Sequence, residues 1–368
     1  MPTDTDTSSQ GLNPPTQLAM HPVAARRILR LAFGTAVALW FSQVVAWDVS
    51  FIMPVLVSVL LAVPIPAPRL KQGLGFILAL AIPVYAALLL LPLLYDYRAA
   101  GVLLLLAACF WSFYYSAKGG SPVLGAFLTM GLAVLTAVGS DSIDAAILVN
   151  KAIVINAVIA MLFVWLAHAF LPDSPPPANQ APRPVPPKPS REMAIWSAWR
   201  STVIVFPVMI FFLLYSGSAA YLVVMIKVAS MGQQVENDST RKAARSLLLS
   251  TVFGGMAAII MWQVLSIWPS LIMYTLMIAL GGLIMGRRVF HGPAMHPQAG
   301  TWSYAFLTMI VIIAPAVMDS TGGAEAGVKF WDRLIMLLAA TFYSVAAVTV
   351  YDAFRPKEKI ITGSQSSA

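Results

Sequence analysis

Charge is scarce in this chain. Of 368 residues, 15 are acidic and 23 basic, 10% in all, against 59% hydrophobic residues and a mean hydropathy of +0.80. Soluble domains carry about a quarter charged residues, so there is too little charge here to coat a water-facing surface. A water-soluble enzyme and a disordered chain are both excluded. Cysteine is nearly absent too: Cys109 stands alone in the apolar run 103–110, so no internal disulfide can form and an inert buried thiol is expected. No Gly-x-x-x-x-Gly-Lys-Ser/Thr loop occurs, which excludes ATP hydrolysis by the chain itself. Four histidines are present, and His291 and His296 lie five apart in a polar loop without further ligands, so neither a metal nor a cofactor is expected. The first 25 residues hold Asp4 and Asp6 and no apolar core, unlike a cleavable signal peptide.

What fills the chain is apolar sequence. Twelve hydrophobic segments lie at roughly 29–47, 51–66, 72–95, 99–116, 121–139, 146–171, 196–216, 218–232, 242–264, 268–286, 301–318 and 331–354. Trp47, Tyr95, Tyr114, Tyr115, Trp196, Trp199, Trp268, Trp302 and Trp331 mark their ends, as aromatic residues do at membrane interfaces. If the N-terminus is inside, 18 of the 23 basic residues fall on the inner side, and the reverse orientation would violate the positive-inside rule. The net charge of +8 is thereby a consequence of topology and gives no support to a nucleic-acid partner. The expected fold is all-α: a multi-pass protein of the bacterial inner membrane with about 12 transmembrane helices and both termini cytoplasmic.

The segments fall into two sets of six. Residues 172–190 hold nine of the 26 prolines, which reads as an extended, solvated linker. Ala126-Phe-Leu-Thr-Met130 in the fifth segment recurs 179 residues later as Ala305-Phe-Leu-Thr-Met309 in the eleventh. Asp141-Ser142 and Asp319-Ser320 follow the two copies, and His168-Ala-Phe-Leu-Pro172 is matched by Asp352-Ala-Phe-Arg-Pro356. Arg30 and Arg200 open the halves, and Arg69 and Arg241 precede their third segments. An even number of spans per half makes the repeat parallel, related by an axis along the membrane normal, with a pathway expected at the interface. The resulting division is a cytoplasmic tail at 1–28, a six-helix repeat at 29–171, a linker at 172–194, a second repeat at 195–355 and a tail at 356–368.

Charges inside spans are expensive and usually face the bundle interior or water. Lys151, beside Asn150 and ahead of Asn156, lies in the sixth segment, and the repeat sets Arg333 opposite it. Two matched cations near the outer mouth suit an anion pathway, with outward snorkelling or pairing to Asp144 and Asp332 as the plainer reading. Lys227 breaks the symmetry, since Val57 stands at the equivalent place, and it lies deeper; inward snorkelling towards Glu236 or Asp238 is its plainer reading. Pro83 and Gly254-Gly255 stand at equivalent depths and are expected to mark bent or unwound helices facing each other across the axis, near a midplane site. His168 and Asp173 have the His-x4-Asp spacing of some acyltransferases, but Asp352 replaces the histidine in the second half.

Six-span repeats that each open on a basic helix start, Arg26-Arg-Ile-Leu-Arg-Leu-Ala-Phe-Gly-Thr and Arg200-Ser-Thr-Val, with a basic turn into the third span, Arg69-Leu-Lys-Gln-Gly-Leu-Gly and Arg241-Lys-Ala-Ala-Arg245, resemble the fusaric acid resistance and aromatic acid exporter superfamily. The resemblance covers about 30–355. It departs in two ways: the Gly-Thr-x-x-Gly of many relatives survives only as Gly73 and Gly75, and the proline linker replaces their large cytoplasmic domain. The resemblance implies a secondary efflux transporter for small organic anions or aromatic compounds, with a periplasmic membrane-fusion adaptor as partner. Plant malate channels are similar in their six-span unit and work as dimers, which leaves an anion channel and a homo-oligomer open. A multispan enzyme such as an acyltransferase is the remaining alternative, although no catalytic activity is expected. A major-facilitator transporter is disfavoured, because Pro64-Ile-Pro-Ala-Pro-Arg-Leu-Lys occupies the turn where its Gly-x-x-x-Asp-Arg motif belongs.

Overall fold

The computed structural model of the protein describes residues 22–46, 49, 51–139, 142–172, 190–214, 221–235, 240–291, 294–319 and 325–354. The linker prolines between 173 and 189 and most of both tails lie outside the described residues. The described chain is all-α, apart from a two-stranded hairpin, β1 (Phe290–His291) and β2 (Ala294–Met295). Its helices are α1 (Pro22–Val45), α2 (Ile52–Leu61), α3 (Leu70–Ala87), α4 (Leu91–Asp96), α5 (Arg98–Ala117), α6 (Pro122–Val138), α7 (Ile143–Phe170), α8 (Arg191–Leu214), α9 (Leu222–Val235), α10 (Thr240–Ile267), α11 (Leu271–Val289), α12 (Ala299–Asp319) and α13 (Glu325–Ala353). A 3-10 turn, Leu88–Leu90, joins α3 to α4. This is a polytopic membrane protein.

Each apolar segment of the sequence contains a helix, but the segments are not equal. Nine spans among the described residues are long and apolar enough to cross a bilayer, with α3 and α4 counting as one. Helices α2 and α9, of 10 and 14 residues, rise only about 15 and 21 Å, short of the ~30 Å hydrocarbon core. For α2 the sequence supplies the reason: Pro64, Pro66 and Pro68 follow its end and keep the chain out of helix until α3.

Four helices, α2, α6, α9 and α12, occupy the middle. Most of their described side chains are buried on every side, whereas the outer helices each keep an exposed apolar stripe. Helix α9 packs on both α6 and α12, and α2 packs on α12. Around them, contacts recur between the sets of six. Helix α1 packs on α11 as α5 does on α8, α3 on α6 as α10 on α12, and α2 on α7 as α9 on α13.

Candidate functional site

The repeated pentapeptide lies in the interior. Thr129 on α6 and Thr308 on α12 are both fully buried. Each bends its hydroxyl back to the carbonyl four residues earlier, Thr129 to Gly125 at 3.0 Å and Thr308 to Tyr304 at 2.7 Å, the local bond that threonine makes inside helices. Helix α9 then reaches both copies. Gln233 Nε2 donates to Thr129 Oγ1 at 3.2 Å, and Ser112 of α5 shares that hydroxyl at 3.1 Å. Lys227 Nζ donates to the Tyr304 carbonyl at 3.3 Å and stands 5.1 Å from the centre of the Tyr304 ring. Six residues along a helix turn through about 240°, so Lys227 and Gln233 leave α9 in different directions. That is why one helix presents a polar side chain to each neighbour.

Lys227 is 0% exposed. Apart from the terminal Asp319, it is the only charged residue on the four central helices. It makes one hydrogen bond and one ring contact, and among the described residues it forms no ion pair. A cation stripped of water and held by one carbonyl and one aromatic face retains donors for an incoming anion. The ammonium ends enclosed on α12; Glu236 and Asp238, the acids of the inward-snorkelling reading, lie outside the described residues.

The other residues expected to line a pathway fare differently. Lys151 is exposed, in line with Ile147, Leu148, Ile155 and Val158 on the outer stripe of α7, because residues four and seven apart share a helix face. It therefore points away from the bundle. Arg333 is buried at 7% exposure on α13. The matched pair of vestibule cations is thus not formed: one side chain faces outward and the other inward. Asn156 Nδ2 bonds the carbonyls of Ala152 at 2.8 Å and Val49 at 3.4 Å, fastening the turn after α1, whose Val49 adopts a positive φ of 52°. Asn150 Nδ2 donates to the Val84 carbonyl at 3.0 Å. That carbonyl is released because the chain tightens into the 3-10 turn, where Leu88 N–H bonds Tyr85 and Ala86 instead. Both asparagines serve the backbone.

The backbone breakers need a similar correction. Helix α3 runs unbroken through Pro83, and α10 runs unbroken through Gly254-Gly255. They do not face each other. Pro83 meets α6, where a Cβ on Gly131 would lie 2.9 Å from the Pro83 carbonyl. Gly254 meets α12, where a Cβ would lie 2.5 Å from the Ala305 carbonyl, and a Cβ on Gly255 would meet Leu334 at an ordinary 3.4 Å. These are close helix crossings that absorb a small residue, not unwound ligand sites.

Two features went unnoticed as partners in the sequence. Arg200 on α8 forms a buried ion pair with Asp352 near the end of α13. Arg30 reaches from α1 to the carbonyl of Leu171, just past α7, at 3.3 Å. The repeat had aligned both arginines and both helix ends, but showed no contact. Of the acyltransferase spacing, Asp173 lies outside the described residues, and His168 Nδ1 contacts the Val164 carbonyl at 2.8 Å. His296 Nδ1 accepts the Gln298 backbone N–H at 3.1 Å, and no group of three metal-ligating side chains occurs among the described residues. Finally, an apolar groove of about 320 Å³ opens between α8 and α13, lined by Pro207, Phe211, Met336, Ala339 and Tyr343 among others.

Residues 27–168 match the model of a family described as a protein of unknown function (DUF2955). That match runs from the first turns of α1 almost to the end of α7. No match was found among curated proteins.

Proposed function

We propose that this protein is a secondary exporter of small organic anions or aromatic compounds, and that Lys227 receives the substrate's negative charge. It lies in a bacterial inner membrane with both termini cytoplasmic, made of two parallel six-helix repeats, with a periplasmic adaptor as a partner. No catalytic step is assigned to it. The observation that carries this reading is a fully buried cation on a central helix without a carboxylate partner among the described residues. An ionisable group inside the membrane costs several kcal/mol to desolvate and contributes nothing to packing that methionine would not supply, so function is the reason to keep it.

Three further observations support the repeat. The family match covers the first set of six helices and stops there. Helix packing in one set is echoed in the other, as with α3 on α6 and α10 on α12. Helix α9 touches the pentapeptide threonine of the first half through Gln233 and that of the second through Lys227 by way of Tyr304, so the polar centre lies where the halves meet.

Proteoliposomes holding the full chain test the assignment. With an aromatic carboxylate inside, the wild type releases it and Lys227→Gln does not, while Lys227→Arg retains part of the rate. Lys227→Gln with the wild-type rate for the carboxylate and normal incorporation would overturn the assignment. Substrate-carried currents without saturation would identify a channel in place of a carrier.

A further inference from the structure

The strongest unassigned feature is a basic seam on the surface. Helices α1 and α11 run antiparallel and very close, because Gly282 and Gly286 let their backbones approach: a Cβ on Gly282 would lie 2.7 Å from Ala32 Cα, and one on Gly286 3.2 Å from an Ile28 methyl. That register brings Arg26 and Arg27 to the level of Arg287 and Arg288. Arg26, Arg287 and Arg288 are exposed, and Arg288 stands 5.6 Å from the ring centre of Trp302. Immediately along the seam the exposed residues turn apolar: Leu29 and Phe33 on α1, Ile284 and Leu280 on α11.

Positive-inside topology requires cations at this end but does not require them together. Among the described residues, the corresponding seam between α5 and α8 carries Lys118 and Arg191 at its basic end. Moreover, α1, α11, the β1–β2 hairpin and α12 contain no Asp or Glu before Asp319, so the elements that build this end of the seam carry charge of one sign. Guanidinium groups match phosphate oxygens by paired hydrogen bonds. A phosphate at the arginines with a hydrocarbon chain along the neighbouring apolar residues has the polarity of a phospholipid.

We propose that the α1–α11 seam is a binding site for an anionic phospholipid, with its phosphate on Arg26, Arg287 and Arg288 and an acyl chain beside Leu29, Phe33, Leu280 and Ile284. This site stands apart from Lys227, and its outcome does not depend on the transport reading. Because the seam joins the first six helices to the second six, the lipid also ties the two sets together at that edge.

Native mass spectrometry of the full chain in detergent, with added phosphatidylglycerol or phosphatidylcholine, tests the proposal. Each surface arginine adds about fivefold to anionic-lipid affinity. The wild type therefore retains phosphatidylglycerol preferentially, and Arg287→Gln with Arg288→Gln lowers that retention about twenty- to thirtyfold. Lys118→Gln with Arg191→Gln, the same charge change at the other seam, leaves it intact. Equal retention of both lipids by the wild type, or equal loss in the two double variants, overturns the site. Displacement of the lipid by millimolar inorganic phosphate would show a free-phosphate site and overturn the lipid assignment. Should the α11 variant fail to fold, Arg26→Gln decides by the same readout, with about fivefold weaker retention expected and unchanged retention overturning the site.

Discussion

Tyr343 on α13 donates its hydroxyl to the carbonyl oxygen of Val203 on α8 at 2.7 Å. Val203 is the residue whose carbonyl would accept the N–H that Pro207 lacks. The proline thus frees an acceptor and a facing helix supplies the donor, at the wall of the α8–α13 groove. Asn150 does the same for Val84 where α3 gives way to a 3-10 turn. In both cases a polar side chain satisfies a carbonyl that its own helix leaves unpaired, as hydrocarbon surroundings demand.

This pairing predicts a coupled effect on stability. Tyr343→Phe should cost about 1 kcal/mol, in the range of hydrogen bonds between membrane helices. In a Pro207→Ala background α8 recovers its own bond, and the same change should cost close to nothing. A double-mutant cycle on unfolding in mixed micelles measures the difference, and additive effects would show that Tyr343 does not serve the proline.

The ion pair between Arg200 and Asp352 is buried on both sides. Removing one partner leaves an uncompensated charge, so Asp352→Asn should destabilise by about 3–5 kcal/mol, whereas Arg200→Met with Asp352→Leu should remain near the wild type. Thermal unfolding followed by size-exclusion fluorescence distinguishes them. Equal damage from the single and the double replacement would mean that the pair is not a unit.

Gly254 sits against the Ala305 backbone and the Thr308 side chain, whereas a methyl group added at Gly75 would meet nothing within 4 Å. Gly254→Ala should therefore destabilise by about 1–3 kcal/mol through overpacking. Gly75→Ala should be neutral or slightly stabilising, since alanine is the better helix former. Their melting temperatures should move apart, and a shared shift would sink the close-crossing argument.

Lys227→Met separates the two roles a buried lysine can have. Replacing the unpaired cation by an apolar chain of similar length should keep or raise the melting temperature while abolishing anion release. A large fall in melting temperature would make Lys227 a structural residue.

Reporter fusions after Ser190 and Ser367 check the proposed orientation. Both should be active only with a cytoplasmic reporter, because the basic residues cluster on that side. Periplasmic activity at either site would reverse it.

The amino-acid sequence by itself determined that this chain is helical and lives in a membrane. That follows from composition: 59% apolar residues with 10% charged ones leave a bilayer as the environment, and a bilayer leaves a helix as the backbone's way to pair every N–H and C=O over such segments. The helix positions were legible for the same reason. Which charge faces inward was not, because the segments are apolar on several sides and their periodicity is weak. Lys151 and Lys227 look alike as isolated lysines in hydrophobic runs, yet one stands on the outer stripe of a long helix and the other ends on Tyr304 inside the central group. Only the tertiary structure decided that, since burial in a helix bundle depends on which face each neighbour covers. Pro83 and Gly254 likewise announced special backbone positions, but whether such a residue opens a helix or admits a close neighbour is settled by what packs against it, here α6 and α12.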